Sequence, residues 1–291
     1  FWELKRRDAI KQTALASAFG LLSPFKNQKE KPEKKSMLKG NINHSVCDWC
    51  YPSLSLEELC VEAKRIGLVG IDLVKPKDFP ILIKYGLIST MTEGAEITQK
   101  ESFNDPGYHS ELKNRYLKHI DYVSKAGFKN LICFSGNKKG MDDETGLNNC
   151  VTGLKNVLSY AEKKGVVILM ELFNSKVDHP DYMCDNTKWA IELCKRLDSP
   201  NFKLLYDIYH MQIEEGDIIR TINDSHIHFG HYHTAGVPGR NEIDSSQELN
   251  YPAIMKAIVK TGYSGFVAQE FRPTRNNPIE SLEEAVYICD V

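Results

Sequence analysis

The sequence predicts an α/β protein, a closed (β/α)8 or TIM barrel. Three observations predict it: from residue 41 onward short apolar runs alternate with helical stretches, the units recur about every thirty residues, and eight of them fill residues 41–291. A barrel of this kind typically needs about 250 residues, and alternating strand and helix patterns favour a parallel sheet.

In order, the expected strands are Asn41–Val46, Gly70–Val74, Leu87–Met91, Asn130–Phe134, Val166–Glu171, Phe202–Asp207, Ile227–His233 and Phe266–Glu270. Between them, Leu56 to Ala63, Leu112 to Val123, Leu154 to Ala161 and Ile254 to Ile258 carry apolar residues at helical spacing. Gly67, Gly127, Gly165 and Gly262 each follow a helical run, where a left-handed residue turns the chain back toward the next strand. The rival is an open doubly wound sheet with five or six strands and a glycine-rich phosphate loop after the first. Here the first strand runs into Cys47-Asp48-Trp49-Cys50-Tyr51-Pro52, with no GxGxxG.

Of the 37 Lys/Arg and 39 Asp/Glu residues, ten and four fall in the first forty positions. The start of the chain is therefore basic and the body acidic. With 42% apolar and 26% charged residues, the body reads as a soluble globular unit with a sizeable core. Its acidic balance leaves no basic stripe for nucleic acid, and no run of eighteen apolar residues offers a membrane span. Residues 1–40 read as a twin-arginine-type signal segment and linker: Lys5-Arg6-Arg7, a mild apolar stretch from Thr13 to Leu22, then a Lys/Glu-rich stretch. That reading implies a periplasmic or extracytoplasmic location, with a basic amphipathic helix and a cytoplasmic protein as the alternative. The eight cysteines lack the spacing of a disulfide scaffold. The single CxxC, Cys47 to Cys50, reads as a turn with two incidental thiols.

In such a barrel the chemistry sits at the C-terminal strand ends. Four consecutive strands end in polar residues that a packed core would avoid: Glu171, Asp207, His233 and Glu270, each about one unit from the next. Buried carboxylates are costly unless paired or bound to a cation. Three oxygen donors and one imidazole suit a divalent metal ion, Mg²⁺, Mn²⁺ or Co²⁺ ahead of Zn²⁺. Two glutamates beside a cation suit proton transfer next to a carbonyl through an enediolate. Isomerisation, epimerisation and hydrolysis by activated water all stay open on residue types alone.

The segments Met170-Glu171-Leu172-Phe173-Asn174, Tyr206-Asp207-Ile208-Tyr209-His210-Met211-Gln212, Gly230 to Arg240 and Gln269-Glu270-Phe271-Arg272-Pro273 resemble the hydroxypyruvate isomerase family of xylose-isomerase-like barrels. The ketose 3-epimerases are its cousins. The resemblance covers residues 40–291 and is most specific in the second half. It implies that Glu171 and Glu270 are the acid/base pair and also metal ligands, with Asp207 and His233 completing the set. It further implies that His210, Arg240 and Asn174 bind substrate. The resemblance implies isomerisation of hydroxypyruvate and tartronate semialdehyde; better-studied family members carry Gln at the position of His233 while the ketose 3-epimerases carry His, so the metal sphere is similar to the epimerase version and a ketose or oxidised-sugar 3-epimerase is the alternative. A non-catalytic periplasmic sugar-binding protein is the reading from another class. The expected partner is a small sugar or hydroxy-keto acid, and a homo-oligomer is admissible. His44, Trp49 and Tyr51 are expected either at the mouth after the first strand, shaping a sugar pocket, or in plain packing, Glu93 and His109 on a lid after the third, and His231 either behind His233 or in the core.

Overall fold

The computed structural model describes residues 38–291, so the expected export segment, with its paired arginines, lies outside the described residues. Eight strands pair in parallel and in chain order into a closed barrel: β1 Asn43–Cys47, β2 Gly70–Val74, β3 Ile88–Thr92, β4 Asn130–Cys133, β5 Val167–Glu171, β6 Phe202–Asp207, β7 Phe229–Thr234 and β8 Phe266–Gln269. Each bound lies within two residues of the sequence expectation. Around the barrel run α1 Leu56–Ile66, α2 Phe79–Lys84, α3 His109–Lys125, α4 Asp143–Lys164, α5 Thr187–Leu197, α6 Ile208–Glu214, α7 Ile218–Ser225, α8 Tyr251–Lys260 and α9 Pro278–Cys289.

The helices form where caps and apolar stripes agree. Ser55 and Glu58 make a reciprocal capping box at the start of α1, whose stripe of Leu59, Cys60, Ala63 and Ile66 is buried against the barrel. Burying a large apolar side chain of this kind contributes roughly 1.5–3 kcal/mol. Gly67 then takes φ 100° and ends the helix, as the sequence predicts. Gly70 answers a different need. A Cβ there would lie 2.3 Å from the Ile88 carbonyl oxygen, so β2 and β3 can approach only without one.

Strand parity decides which residues face the barrel interior. On β1, Ser45 and Cys47 point inward, toward Asp72 of β2. His44 therefore points outward, with Nε2 3.7 Å from Asp290 just past α9. Of the two places expected for His44, this is packing and not the mouth. Burial lowers the His44 pKa to about 4 against the pull of Asp290. Between β2 and β3 the register shifts on both sides of Asp72, and Leu73 takes φ 58°; this break lies beside the buried Asp72 carboxylate.

Candidate active site

Glu171 and Asp207 are the last residues of β5 and β6, His233 is the penultimate residue of β7, and Glu270 follows β8. Their donor atoms lie within 4.8 Å of one another, and all four side chains are buried. His233 Nδ1 is 3.2 Å from Glu171 Oε1 and 2.8 Å from Glu270 Oε2. Neither approach has hydrogen-bond geometry, and Nδ1 and Glu171 Oε1 are left without partners. A buried nitrogen and a buried carboxylate oxygen facing each other unsatisfied cost about 1–3 kcal/mol each. A divalent cation shared by the four residues would remove that cost, so the donor set fits one.

The electrostatics follow from crowding three carboxylates in a buried space. Burial pushes Asp207 up to about 8, against the opposing pull of Arg240. Glu171 is likewise raised by burial, with His233 opposing and the Glu270 charge adding. For Glu270 burial acts upward too, but Arg240 and His233 outweigh it and hold the carboxyl well below its usual range. Burial would lower His233, yet Glu270 foremost keeps it high.

Arg240 bridges the rim. Its Nη2 donates to Glu270 Oε2 and, at 3.2 Å, to Asp207 Oδ2, while the guanidinium lies 5.3 Å from the Trp49 ring centre and 5.1 Å from that of Tyr209. The loop from Gly236 to Asn241 holds it there. Gly236 and Asn241 pair across the loop, Arg240 N donates to the Gly236 carbonyl at 2.9 Å, and a Cβ on Gly236 would lie 2.3 Å from the Glu242 carbonyl oxygen. Arg240 itself takes φ 59°, a conformation that costs a non-glycine residue and recurs at functional sites. The other carboxylates near it in sequence are engaged elsewhere, Glu242 with Thr274 and Ser281 and Asp244 with Arg275.

His210, in the first turn of α6, has its tautomer set by Asn174. Asn174 Oδ1 accepts from the Val177 and Asp178 amides at 3.0 and 2.9 Å, so its Nδ2 is the atom 2.7 Å from His210 Nδ1. Nδ1 therefore accepts, and the proton of the ring sits on Nε2. Burial first, then Arg240, keeps the ring neutral. Nε2 stands 3.2 Å from Arg240 Nη1, donor facing donor. An acceptor oxygen placed before both would satisfy them together.

Trp49 follows β1, is 38% exposed, and donates from Nε1 to Glu270 Oε1 at 2.9 Å. Tyr51 is buried, edge-on to Phe271. Glu93 pairs with Lys75, and His109 contacts the Phe103 carbonyl; neither joins the four-residue cluster. Three contributors escape a reading of the sequence. Asp72 takes contacts from both His231 Nε2 and His233 Nε2 at 2.9 and 2.8 Å. Its signal was a lone charge inside an apolar strand. Tyr209 supplies a ring beneath Arg240, and His179 stacks on Phe173 with ring centres 3.9 Å apart, 5.2 Å from the His210 ring. No pattern in the sequence marks His179.

A parallel eight-stranded barrel that gathers three carboxylates and an imidazole at its C-terminal rim defines the class: a (β/α)8 barrel with a buried candidate metal centre. The family model described as Xylose isomerase-like TIM barrel matches residues 102–289, and the chain belongs to that family. It is similar to hydroxypyruvate isomerase of Escherichia coli K12, 27% identical over 81% of this chain and 94% of that one. It is also similar to 2-oxo-tetronate isomerase of Cupriavidus necator, 36% identical over 39% of this chain and 43% of that protein. The chain spans about half the length of several curated relatives it matches, those of Danio rerio, Homo sapiens and Mus musculus at 45–47% included. Among solved structures, one titled AP endonuclease, family 2, from Brucella melitensis superposes with a TM-score of 0.75 at 23% identity, covering 83% of this chain and 97% of that one; that likeness shows the fold.

Proposed function

We propose that this protein is a metal-dependent isomerase of a small hydroxy-carbonyl compound, with hydroxypyruvate and tartronate semialdehyde as the first substrate pair to test. The observation that carries the reading is the convergence of Glu171, Asp207, His233 and Glu270 within 4.8 Å, with a buried nitrogen and a buried oxygen unsatisfied among them. These four would hold the cation, which supplies Lewis-acid stabilisation of negative charge developing on substrate oxygens. The rest is the work of the chain's own side chains. Glu171 and Glu270 reach the centre from well-separated strands, so one carboxylate can take a carbon-bound proton and the other return it. His210 offers Nε2–H and Arg240 offers Nη1–H to one substrate oxygen. Trp49 Nε1 and Arg240 orient the Glu270 carboxylate, and the Trp49 and Tyr209 rings flank the guanidinium.

His233 favours a second reading, ketose or oxidised-sugar 3-epimerisation, because an imidazole at this position resembles the epimerase pattern. Product analysis separates the two. Isomerisation moves the carbonyl and epimerisation leaves it in place. Turnover of hydroxypyruvate that disappears on metal stripping and returns with Mn²⁺, Mg²⁺ or Co²⁺ supports the first reading. Metal-independent turnover would refute both.

A further inference from the structure

His233 can hold a cation only if Nδ1 presents a lone pair, and the Glu171 and Glu270 carboxylates, 3.2 and 2.8 Å from Nδ1, do not favour that tautomer by themselves. The control comes from below. Asp72 is fully buried on β2, and its Oδ2 lies 2.8 Å from His233 Nε2 and 2.9 Å from His231 Nε2. Its other oxygen accepts from Ser45 Oγ at 3.4 Å and from Thr90 Oγ1. With the Cys47 thiol 3.9 Å from Oδ2, five donors from β1, β3 and β7 thus converge on one carboxylate with no exposed surface.

We propose that Asp72 is the positioning residue of the metal centre: by accepting the Nε2 proton of His233 it leaves Nδ1 unprotonated and aimed at Glu171 and Glu270, and His231, Ser45 and Thr90 hold Asp72 in place. The proposal rests on the metal-site reading above. A carboxylate behind a ligating histidine sets its tautomer and ring orientation and raises its basicity, and loss of such a partner typically costs roughly 10–100-fold in metal affinity. Of the four residues of the centre, Asp72 contacts His233. His231 lies two residues before His233 on the same strand face, and the two imidazoles meet edge to face with ring centres 5.2 Å apart. The two histidines therefore share one acceptor.

The structure distinguishes this role from plain packing. An Asp that only satisfied buried donors could be replaced by Asn with loss of stability and no change in how the cation is held. Both Nε2 contacts fall on Oδ2, so an Asn oxygen placed there could still accept them, but without the charge that raises the basicity of His233, and its amide NH2 would face the Ser45 and Thr90 hydroxyls.

Two experiments test the assignment on the full chain. The first compares wild type, Asp72→Asn and His231→Phe by equilibrium dialysis with Co²⁺ and by the visible spectrum of the Co²⁺ form. The expected result is roughly 10–100-fold weaker binding with an altered spectrum for Asp72→Asn, and a smaller loss for His231→Phe, which keeps Asp72. Wild-type affinity and spectrum in Asp72→Asn, with only a lower Tm, would overturn the proposal and leave the metal reading standing. No Co²⁺ binding by wild type would sink both. The second needs no variant: ¹⁵N NMR of histidine-labelled, Mg²⁺-loaded wild type should find His233 protonated at Nε2 alone. A proton on Nδ1 would overturn the proposal even if Asp72→Asn fails to fold.

Discussion

Replacing Arg240 with Ala tests two consequences of one geometry. The guanidinium contacts Glu270 Oε2 and Asp207 Oδ2 with its side chain 12% exposed, and packs between the Trp49 and Tyr209 rings. Removing one partner of a buried ion pair costs about 3–5 kcal/mol because the remaining charge stays buried. Taking about 3 kcal/mol and about 2–4 °C per kcal/mol for a domain of this size, metal-free Arg240→Ala should melt about 6–12 °C below metal-free wild type. A bound cation would neutralise the same carboxylates, so the deficit should shrink in saturating Mn²⁺. Loss of a charged hydrogen bond to substrate, about 1.5–3 kcal/mol, should lower kcat/KM roughly 10- to 150-fold, chiefly through KM. Differential scanning fluorimetry with and without metal, together with steady-state kinetics, reads all three. Unchanged KM and a Tm within about 1 °C of wild type in both metal states would refute this account of Arg240.

The remaining expectations are simpler. Glu171→Gln and Glu270→Gln should each reduce kcat by at least about 100-fold while the protein still unfolds cooperatively; near wild-type rates in either variant would contradict its role in proton transfer. Ser55→Ala breaks the capping box of α1, whose partners are Ser55 and Glu58, and should lower stability by about 1 kcal/mol without changing KM; a changed KM would show that the cap also positions the loop that carries Trp49. A chain lacking residues 1–40 should melt cooperatively, as expected if that part is a leader and linker, and loss of the cooperative transition would contradict that reading.

The rim was legible because a carboxylate or histidine closing an apolar strand is conspicuous: Met170-Glu171 and Tyr206-Asp207 stand at the ends of β5 and β6, as the spacing implies. The glycine stops were legible for a similar reason, since Gly67 and Gly165 both take positive φ at helix ends. Asp72 was not. Its role depends on β7 lying across the barrel from β2 and on a local register break, and a strand written Gly-Ile-Asp-Leu-Val reveals neither. For His44 the sequence leaves mouth and packing open, and strand parity decides for packing by sending it outward to Asp290. Glu93 and His109 looked chemical by residue type, yet local partners, Lys75 and the Phe103 carbonyl, engage both. His179 came to the site through the loop after β5, whose path no periodicity encodes.

The central claim is that two glutamates beside a divalent cation move a proton on carbon next to a carbonyl. Proton exchange in D₂O, followed by NMR on the Mg²⁺-loaded protein with hydroxypyruvate, tartronate semialdehyde and a panel of ketoses and oxidised sugars, tests it most directly. The account predicts metal-dependent entry of deuterium next to a carbonyl in at least one compound, abolished in Glu171→Gln and Glu270→Gln. Absence of exchange across the panel, with Mg²⁺ shown to be bound, would contradict it.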